Sequence, residues 1–253
     1  MNSAPIVGDV LVATIGLQGS SGIPSVTSIS QVNVVWTHEK SSQHNYAYTW
    51  WIDSEIWLGK VNSNAATNVT INLSSNCDMG VADVCEYSGV STINPLDQTA
   101  SNSGTGTSTS TGTTATISQP NELCVGCTVV YANDNPPAQS NPTNGFTLLD
   151  GSTYDNSISV GYLEKIVSSA STENSGTTIQ TDAWAGCIAT FIQPTTSITI
   201  TSNPTSVGFV TVDGNAISTP YTFTWEIGYT HTITASSSVF RSHRNPICFL
   251  KLV

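Results

Sequence analysis

Charged residues are scarce in this sequence, and basic residues are the scarcest. Only 9% of the 253 residues are charged, and six Lys and Arg stand against 17 Asp and Glu. Nucleic-acid binding is therefore not expected, because the chain has no stripe of Lys and Arg that could displace counterions from phosphates. The same deficit disfavours an anionic membrane surface. Ser, Thr, Asn and Gly dominate instead, which is typical of extracellular β proteins.

Long apolar runs are missing as well. No run approaches the length of a membrane-spanning helix, so we expect no membrane insertion. The first residues, MNSAPIVGD, also lack the charged and apolar regions of a signal peptide. Small residues after the initiator Met are what remains when a signal peptide has been removed. We therefore expect an exported protein in its mature form, secreted or held at the cell surface.

Helical periodicity is absent from nearly every segment. Alternating apolar and polar residues, β-branched residues and turn clusters recur instead. This alternation predicts strands at residues 9–17, 31–37, 46–60, 68–73, 80–87, 113–118, 122–131, 157–167 and 183–192. Segments rich in Gly and Ser, such as SNSGTGTSTSTGT (residues 101–113), are predicted loops. About nine strands over roughly 190 residues predict an all-β fold, a two-sheet jelly-roll-like sandwich.

A change of pattern near QPTTS (Gln193 to Ser197) predicts two domains. Residues 1–193 form the predicted sandwich, and residues 194–253 restart the strand pattern with SITITSNP and GFVTVDGNAI. Asp213-Gly214 between alternating runs is a hairpin signal. We interpret this second unit as a small accessory β module. Its last residues, FRSHRNPICFLKLV, break the Ser- and Thr-rich alternation, which suggests a truncated reading frame.

Both units carry motifs that resemble modules of exported proteins. The second unit, in SVGFVTVDGNAISTPYTFTWEIGYTHTITASS, resembles small β repeats of archaeal cell-surface and secreted proteins, including thermopsin-like proteases and PEGA-type domains. The first unit, in GDVLVATIG, SEIWLGKV, VCEYSGV and ELCVGCTVV, resembles a secreted jelly-roll module found beside such repeats. These resemblances imply an extracellular location and an all-β architecture. They imply no particular reaction.

The six cysteines do not resemble a disulfide framework for a chain of this length. Cys85, Cys124, Cys127 and Cys187 lie in apolar, strand-like runs, so we expect buried thiols or one or two disulfides whose pairing stays open. Zinc binding at Cys124 and Cys127 is not expected. The two side chains point to opposite faces of a strand, and no second CxxC or nearby His accompanies them. No metal and no cofactor are predicted.

The stretch TWWIDSEIWLGK, Thr49 to Lys60, is the strongest candidate for a binding face. On a continuous strand, Trp51, Asp53, Glu55 and Trp57 share one face, and the alternate residues share the other, which is predicted to be core. Aromatic rings and carboxylates together are typical of surfaces that stack on sugar rings and bind their hydroxyls. The alternative is that the tryptophans cover a sheet edge while the acids face water.

Glu86, in DVCEYSGV, is the second candidate because it interrupts an apolar run. If Glu86 faced Glu55 across the sheet, the two could act as the carboxylates of a glycosidase. Jelly-roll β-glucanases place two glutamates in this way, but their E-x-D-x-x-E run is missing here. Glu164, in GYLEKIV, is a third candidate carboxylate. The alternative for Glu86 is a structural carboxylate bonded to a loop backbone or a Tyr hydroxyl.

These observations favour an extracellular or cell-surface β-sandwich protein that binds polysaccharide or a cell-surface glycan. In that hypothesis Trp51, Asp53 and Trp57 contact the ligand. The first alternative is a glycoside hydrolase in which Glu55 and Glu86 are catalytic. The second is a filament or matrix subunit that self-associates through β edges.

Overall fold

The structure is a computed structural model that describes residues 1–131, 138–150, 153–154, 157–202, 209–235 and 250–252. These residues form antiparallel strands and no helix, which confirms the prediction of an all-β sandwich. None of them belongs to a helix with the length and hydropathy that a membrane span requires. The chain divides into two compact units, Met1–Gln193 and Pro194–Val253.

The first sheet of the first unit has the strand order β3-β4-β1-β6. Its strands are β1 (Val10–Gly19), β3 (Val34–Ala47), β4 (Trp50–Val61) and β6 (Met79–Tyr87). Strand β1 is central and is buried along its whole length. The sequence of a strand that is buried on both faces is nearly continuously apolar, as in VLVATIGLQG.

The second sheet has the order β10-β11-β8-β12-β7, and β9 also pairs with β11. Its strands are β7 (Leu96–Ser108), β8 (Leu123–Tyr131), β9 (Thr147–Asp150), β10 (Thr153–Tyr154), β11 (Ile158–Ile166) and β12 (Thr178–Phe191). The main core lies between the two sheets. Apolar side chains of β1 and β4, such as Val12 and Ile56, pack there against β8, β11 and β12.

A two-stranded ribbon covers the outer face of the first sheet. It consists of β2 (Val26–Ser30) and β5 (Thr70–Leu73), which pair with each other. Val26 and Ile29 of the ribbon pack on Ala13, Ile15 and Leu17 of β1 and form a second apolar cluster. The first sheet is therefore covered on both faces, and polar groups on its outer face need partners within the protein.

Several predicted elements differ from the structure. The predicted strand 31–37 begins at Val34 and continues to Ala47 as β3. The predicted strand 46–60 begins only at Trp50, because Tyr48 and Thr49 form the turn of the β3–β4 hairpin and Tyr48 has a φ of 43°. The predicted strand 113–118 is not a strand. By contrast, much of the predicted loop 101–113 belongs to β7, which pairs with β12 through its backbone despite its Gly- and Ser-rich sequence.

The second unit contains two small sheets. One has the order β16-β13-β18, and the other has the order β15-β14-β17. The strands are β13 (Thr195–Ser202), β14 (Phe209–Val212), β15 (Asn215–Ser218), β16 (Tyr221–Glu226), β17 (Ile233–Ala235) and β18 (Leu250–Leu252). Asp213 and Gly214 form the β14–β15 turn with φ angles of 48° and 81°, as the hairpin signal predicts. Most of the unusual final segment, residues 240–249 and 253, lies outside the described residues.

Candidate functional site

The alternation predicted for β4 places its acids on the outer face of the first sheet. Asp53, Glu55 and Trp57 lie directly opposite Leu17, Ile15 and Ala13 of β1, which form the cluster beneath the ribbon. The alternate residues face the other sheet, where Ile56 and Leu58 enter the main core. Hydrophobic patterning therefore fixes the direction of both acids, because a shift of one residue would bury them between the sheets.

Strand β3 supplies a polar neighbour for each of these residues. Gln43 lies opposite Asp53, Ser41 lies opposite Glu55, and His38 lies opposite Trp57. Together with residues 25–27 at the start of the ribbon, they line a pocket of about 280 Å³. Gln43, His38 and Thr27 are exposed at its rim, whereas both acids are buried. The result is a pocket with a hydroxyl, amide and imidazole rim above an acidic floor.

Glu55 is held by two short hydrogen bonds. Its Oε1 accepts from the backbone N–H of Val26 at 2.6 Å, and its Oε2 accepts from the indole Nε1–H of Trp57 at 2.6 Å. The Nε2 atom of His38 lies 3.9 Å from Oε2. Glu55 therefore ties the ribbon to β4, and it lines the pocket.

Asp53 is fully buried, yet neither of its oxygens has a hydrogen-bond partner of good geometry among the described residues. The pKa of Asp53 is raised from its ordinary 3.8 to about 9, chiefly by burial and also by the adjacent Glu55, while Gln43 opposes the shift. Asp53 is therefore protonated at neutral pH beside the acceptor Glu55. A neutral carboxyl group can donate as well as accept a hydrogen bond.

Neither predicted tryptophan offers a flat platform in this pocket. Trp57 is only 7% exposed, and its ring lies against His38 with the centroids 5.1 Å apart. Trp51 is half-buried near the start of β4, opposite Gly19 and Asn45, and does not line the pocket. Of the residues proposed to contact a ligand, Asp53 and Trp57 come together, and Trp51 lies apart from them.

The predicted pairing of Glu55 with Glu86 is not formed. Glu86 lies on β6 opposite Leu11, and Glu55 lies on β4 opposite Ile15. Four residues along β1 and two strand spacings across it separate their Cα atoms by roughly 16 Å. Glu86 instead accepts a hydrogen bond from the backbone N–H of Ile6 at 2.5 Å, so it serves as a structural carboxylate bonded to a loop.

Glu164, the third candidate, lies on β11 of the other sheet. It accepts a hydrogen bond from the Tyr87 hydroxyl at 2.8 Å. A glycosidase pair made from any two of Glu55, Glu86 and Glu164 therefore has no support in the fold.

Sequence reasoning did not identify the rim residues. The missing signal was the hairpin turn at Tyr48 and Thr49, since a turn there sets the β3–β4 register and brings Gln43 opposite Asp53. It also missed an aromatic cluster at the turn end of the hairpin, in which only Trp50 is exposed. There, Trp50 is 38% exposed and lies 6.4 Å from the rings of both Tyr46 and Tyr131.

No metal centre is formed by the described residues, in which no three His, Cys, Asp or Glu side chains cluster suitably. Cys124 and Cys127 lie in different apolar clusters on opposite faces of β8, as strand alternation predicts. The chain matches no known protein-family model, and no curated protein or solved structure is significantly similar to it. The pocket itself is therefore the main source for a functional proposal.

Proposed function

We propose that the first unit is a saccharide-binding module of an extracellular or cell-surface protein, and that its ligand enters the pocket above Asp53 and Glu55. The observation that carries this proposal is a buried acid pair beneath a rim of polar side chains. The partner is a polysaccharide or a cell-surface glycan.

The hydrogen-bonding groups of the pocket suit a polyol. A sugar hydroxyl both donates and accepts, and the rim offers the Ser41 hydroxyl, the Gln43 amide and the His38 imidazole within one pocket. Because Asp53 is protonated at neutral pH, it adds little negative charge to the pocket. A neutral ligand therefore fits better than a cation, which would require ionised oxygen ligands.

The size of the pocket limits how much ligand it holds. A volume of about 280 Å³ lies just below the roughly 300 to 1,000 Å³ of most small-molecule sites. One sugar residue at the end or on a branch of a chain therefore fits this pocket better than a long stretch of polymer.

Binding is favoured over hydrolysis by the state of the two acids. Glycosidases need carboxyl groups about 5 to 9.5 Å apart that are free to attack or to activate water. Here Glu55 already accepts one N–H bond on each oxygen, and Asp53 is fully buried. Neither acid is free to act as a nucleophile.

The experiment is affinity electrophoresis of the full chain in gels that contain soluble α- or β-glucans or other neutral polysaccharides. We expect at least one polysaccharide to retard the protein. The variant Gln43→Ala should lose at least tenfold in affinity, because it removes a rim amide without disturbing the core.

The matched control is Glu86→Gln, which changes a carboxyl group on the same sheet face but outside the pocket. We expect this variant to bind as the wild type does. The proposal is wrong if no polysaccharide retards the protein, or if Gln43→Ala and the wild type are retarded equally.

A further inference from the structure

Two buried cysteines lie directly opposite each other in the second sheet. Cys127 of β8 pairs with Cys187 of β12 in the antiparallel register. Both have no exposed surface and face the core between the sheets. Opposed residues of antiparallel strands have Cα atoms about 4.5 to 5.5 Å apart, and disulfides span Cα separations of about 4.4 to 6.8 Å. The backbone is therefore already placed for a disulfide.

The contacts of the two thiols are weak and replaceable. The Cys127 sulfur lies 3.8 Å from the carbonyl oxygen of Ile15. The Cys187 sulfur lies 3.4 Å from the Ser54 hydroxyl and 3.5 Å from the Ser54 carbonyl oxygen. Because thiols are weak hydrogen-bond donors, little hydrogen-bond stabilisation is lost when the two sulfurs are joined.

The timing of any linkage follows from burial. Burial, with a further contribution from Cys127, raises the pKa of Cys187 well above its usual value. Thiol–disulfide exchange requires a thiolate and access to it, and the folded core offers neither. The bond therefore has to form while the sheets are still assembling.

No other described cysteine is a cross-strand neighbour of Cys127 or Cys187. Cys124 lies on the opposite face of β8. Cys85 packs against the same core cluster, but it lies on β6 of the other sheet, opposite Val12. Cys77 packs in the cluster beneath the ribbon. Within the described ranges no other two cysteines are cross-strand neighbours, and Cys248 lies outside those ranges.

We propose that Cys127 and Cys187 form a cross-strand disulfide when the chain folds in the presence of a disulfide oxidant such as oxidised glutathione. Two S–H bonds break and one S–S bond forms, while the oxidant takes both hydrogens and becomes two molecules of reduced glutathione. The bond links β8 to β12 and closes a loop of about 60 residues, which restricts the unfolded chain.

The test is to refold the reduced full chain either in a glutathione redox mixture or with reductant alone. Free thiols are then alkylated, the protein is digested with pepsin, and fragment spectra are recorded that distinguish Cys127 from Cys124. We expect a Cys127–Cys187 link only in the oxidised sample, which should also unfold at higher urea. Alkylation of both Cys127 and Cys187 in the oxidised sample, or Cys127 joined to another cysteine, would overturn the proposal.

Two variants and a change of order complete the experiment. Cys77→Ala should keep the link, whereas Cys187→Ala should leave Cys127 as an alkylated thiol and abolish the stability difference between the two samples. If Cys187→Ala does not refold, the disulfide assignment in the wild-type protein decides by itself whether the link forms. In the last experiment the redox mixture is added to protein that is already folded and reduced. The link should then form no faster than the protein unfolds. Faster linkage would contradict the conclusion that the bond forms while the sheets are assembling.

Discussion

Replacing Asp53 by Asn should stabilise the protein at neutral pH, although Asp53 lines the proposed binding pocket. The unfolded chain carries an ionised Asp at pH 7, whereas the folded chain carries a protonated one, so folding must take up a proton. One pKa unit corresponds to about 1.4 kcal/mol. Because pH 7 lies about three units above the ordinary pKa of 3.8, protonating Asp53 on folding costs about 4 kcal/mol at most. Asn is neutral in both states and avoids this cost.

The sign of the pH dependence follows from the raised pKa. A group that binds its proton more tightly in the folded state adds stability below its unfolded pKa, and this stability is lost as pH rises toward the folded pKa. The window here runs from about 4 to about 9. The wild type and Asp53→Asn should therefore be equally stable near pH 4 and diverge steadily as pH rises.

The assay is urea unfolding followed by tryptophan fluorescence at several pH values across that window. The control is Glu86→Gln, whose carboxylate accepts a backbone N–H bond. It should show no gain and lose about 1 kcal/mol. If Asp53→Asn is no more stable than the wild type at pH 7, or if the two pH profiles run parallel, the assignment of a protonated, buried Asp53 is refuted.

Three further predictions concern the pocket support, the second unit and the sandwich core. Glu55→Gln should lose about 1 to 3 kcal/mol in urea unfolding, because an amide cannot accept both N–H bonds, and an unchanged midpoint would contradict that role. A chain of residues 1–193 should fold and be retarded by the same polysaccharide as the full chain, and a folded fragment without retardation would contradict an accessory second unit. Gly16→Val should lose more than 1 kcal/mol, because a Cβ there meets Val160 at 2.5 Å, and wild-type stability would contradict close packing of the sheets.

The elements that sequence predicted best are those in which burial dictates every second side chain. On β4 the apolar residues face the main core, so alternation alone placed Asp53 and Glu55 together on the other face. Strand β7 escaped prediction for the opposite reason. Its Ser, Gly and Thr residues are mostly exposed or half-buried, and backbone pairing with β12 makes it a strand without any apolar alternation.

The candidate site was only partly predictable because it depends on register and on a distant ribbon. Local sequence cannot show that Glu86 lies opposite Leu11 of β1 whereas Glu55 lies opposite Ile15, four residues further along that strand. It also cannot show that the N–H of Val26, separated from Glu55 by 29 positions, becomes a partner of its carboxylate. Such contacts follow from how strands are paired and layered, which alternation within one strand does not specify.

The most direct test of saccharide binding in the pocket is an NMR titration of ¹⁵N-labelled protein with the polysaccharide or oligosaccharide that retards it. The Trp57 indole N–H and the Gln43 side-chain amide report on the pocket. Trp50, which is exposed, reports on the aromatic cluster that it forms with Tyr46 and Tyr131 outside the pocket. We predict saturable shifts of the Trp57 and Gln43 signals while the Trp50 indole signal stays in place. Shifts at Trp50 without shifts at Trp57 or Gln43 would contradict binding in the pocket.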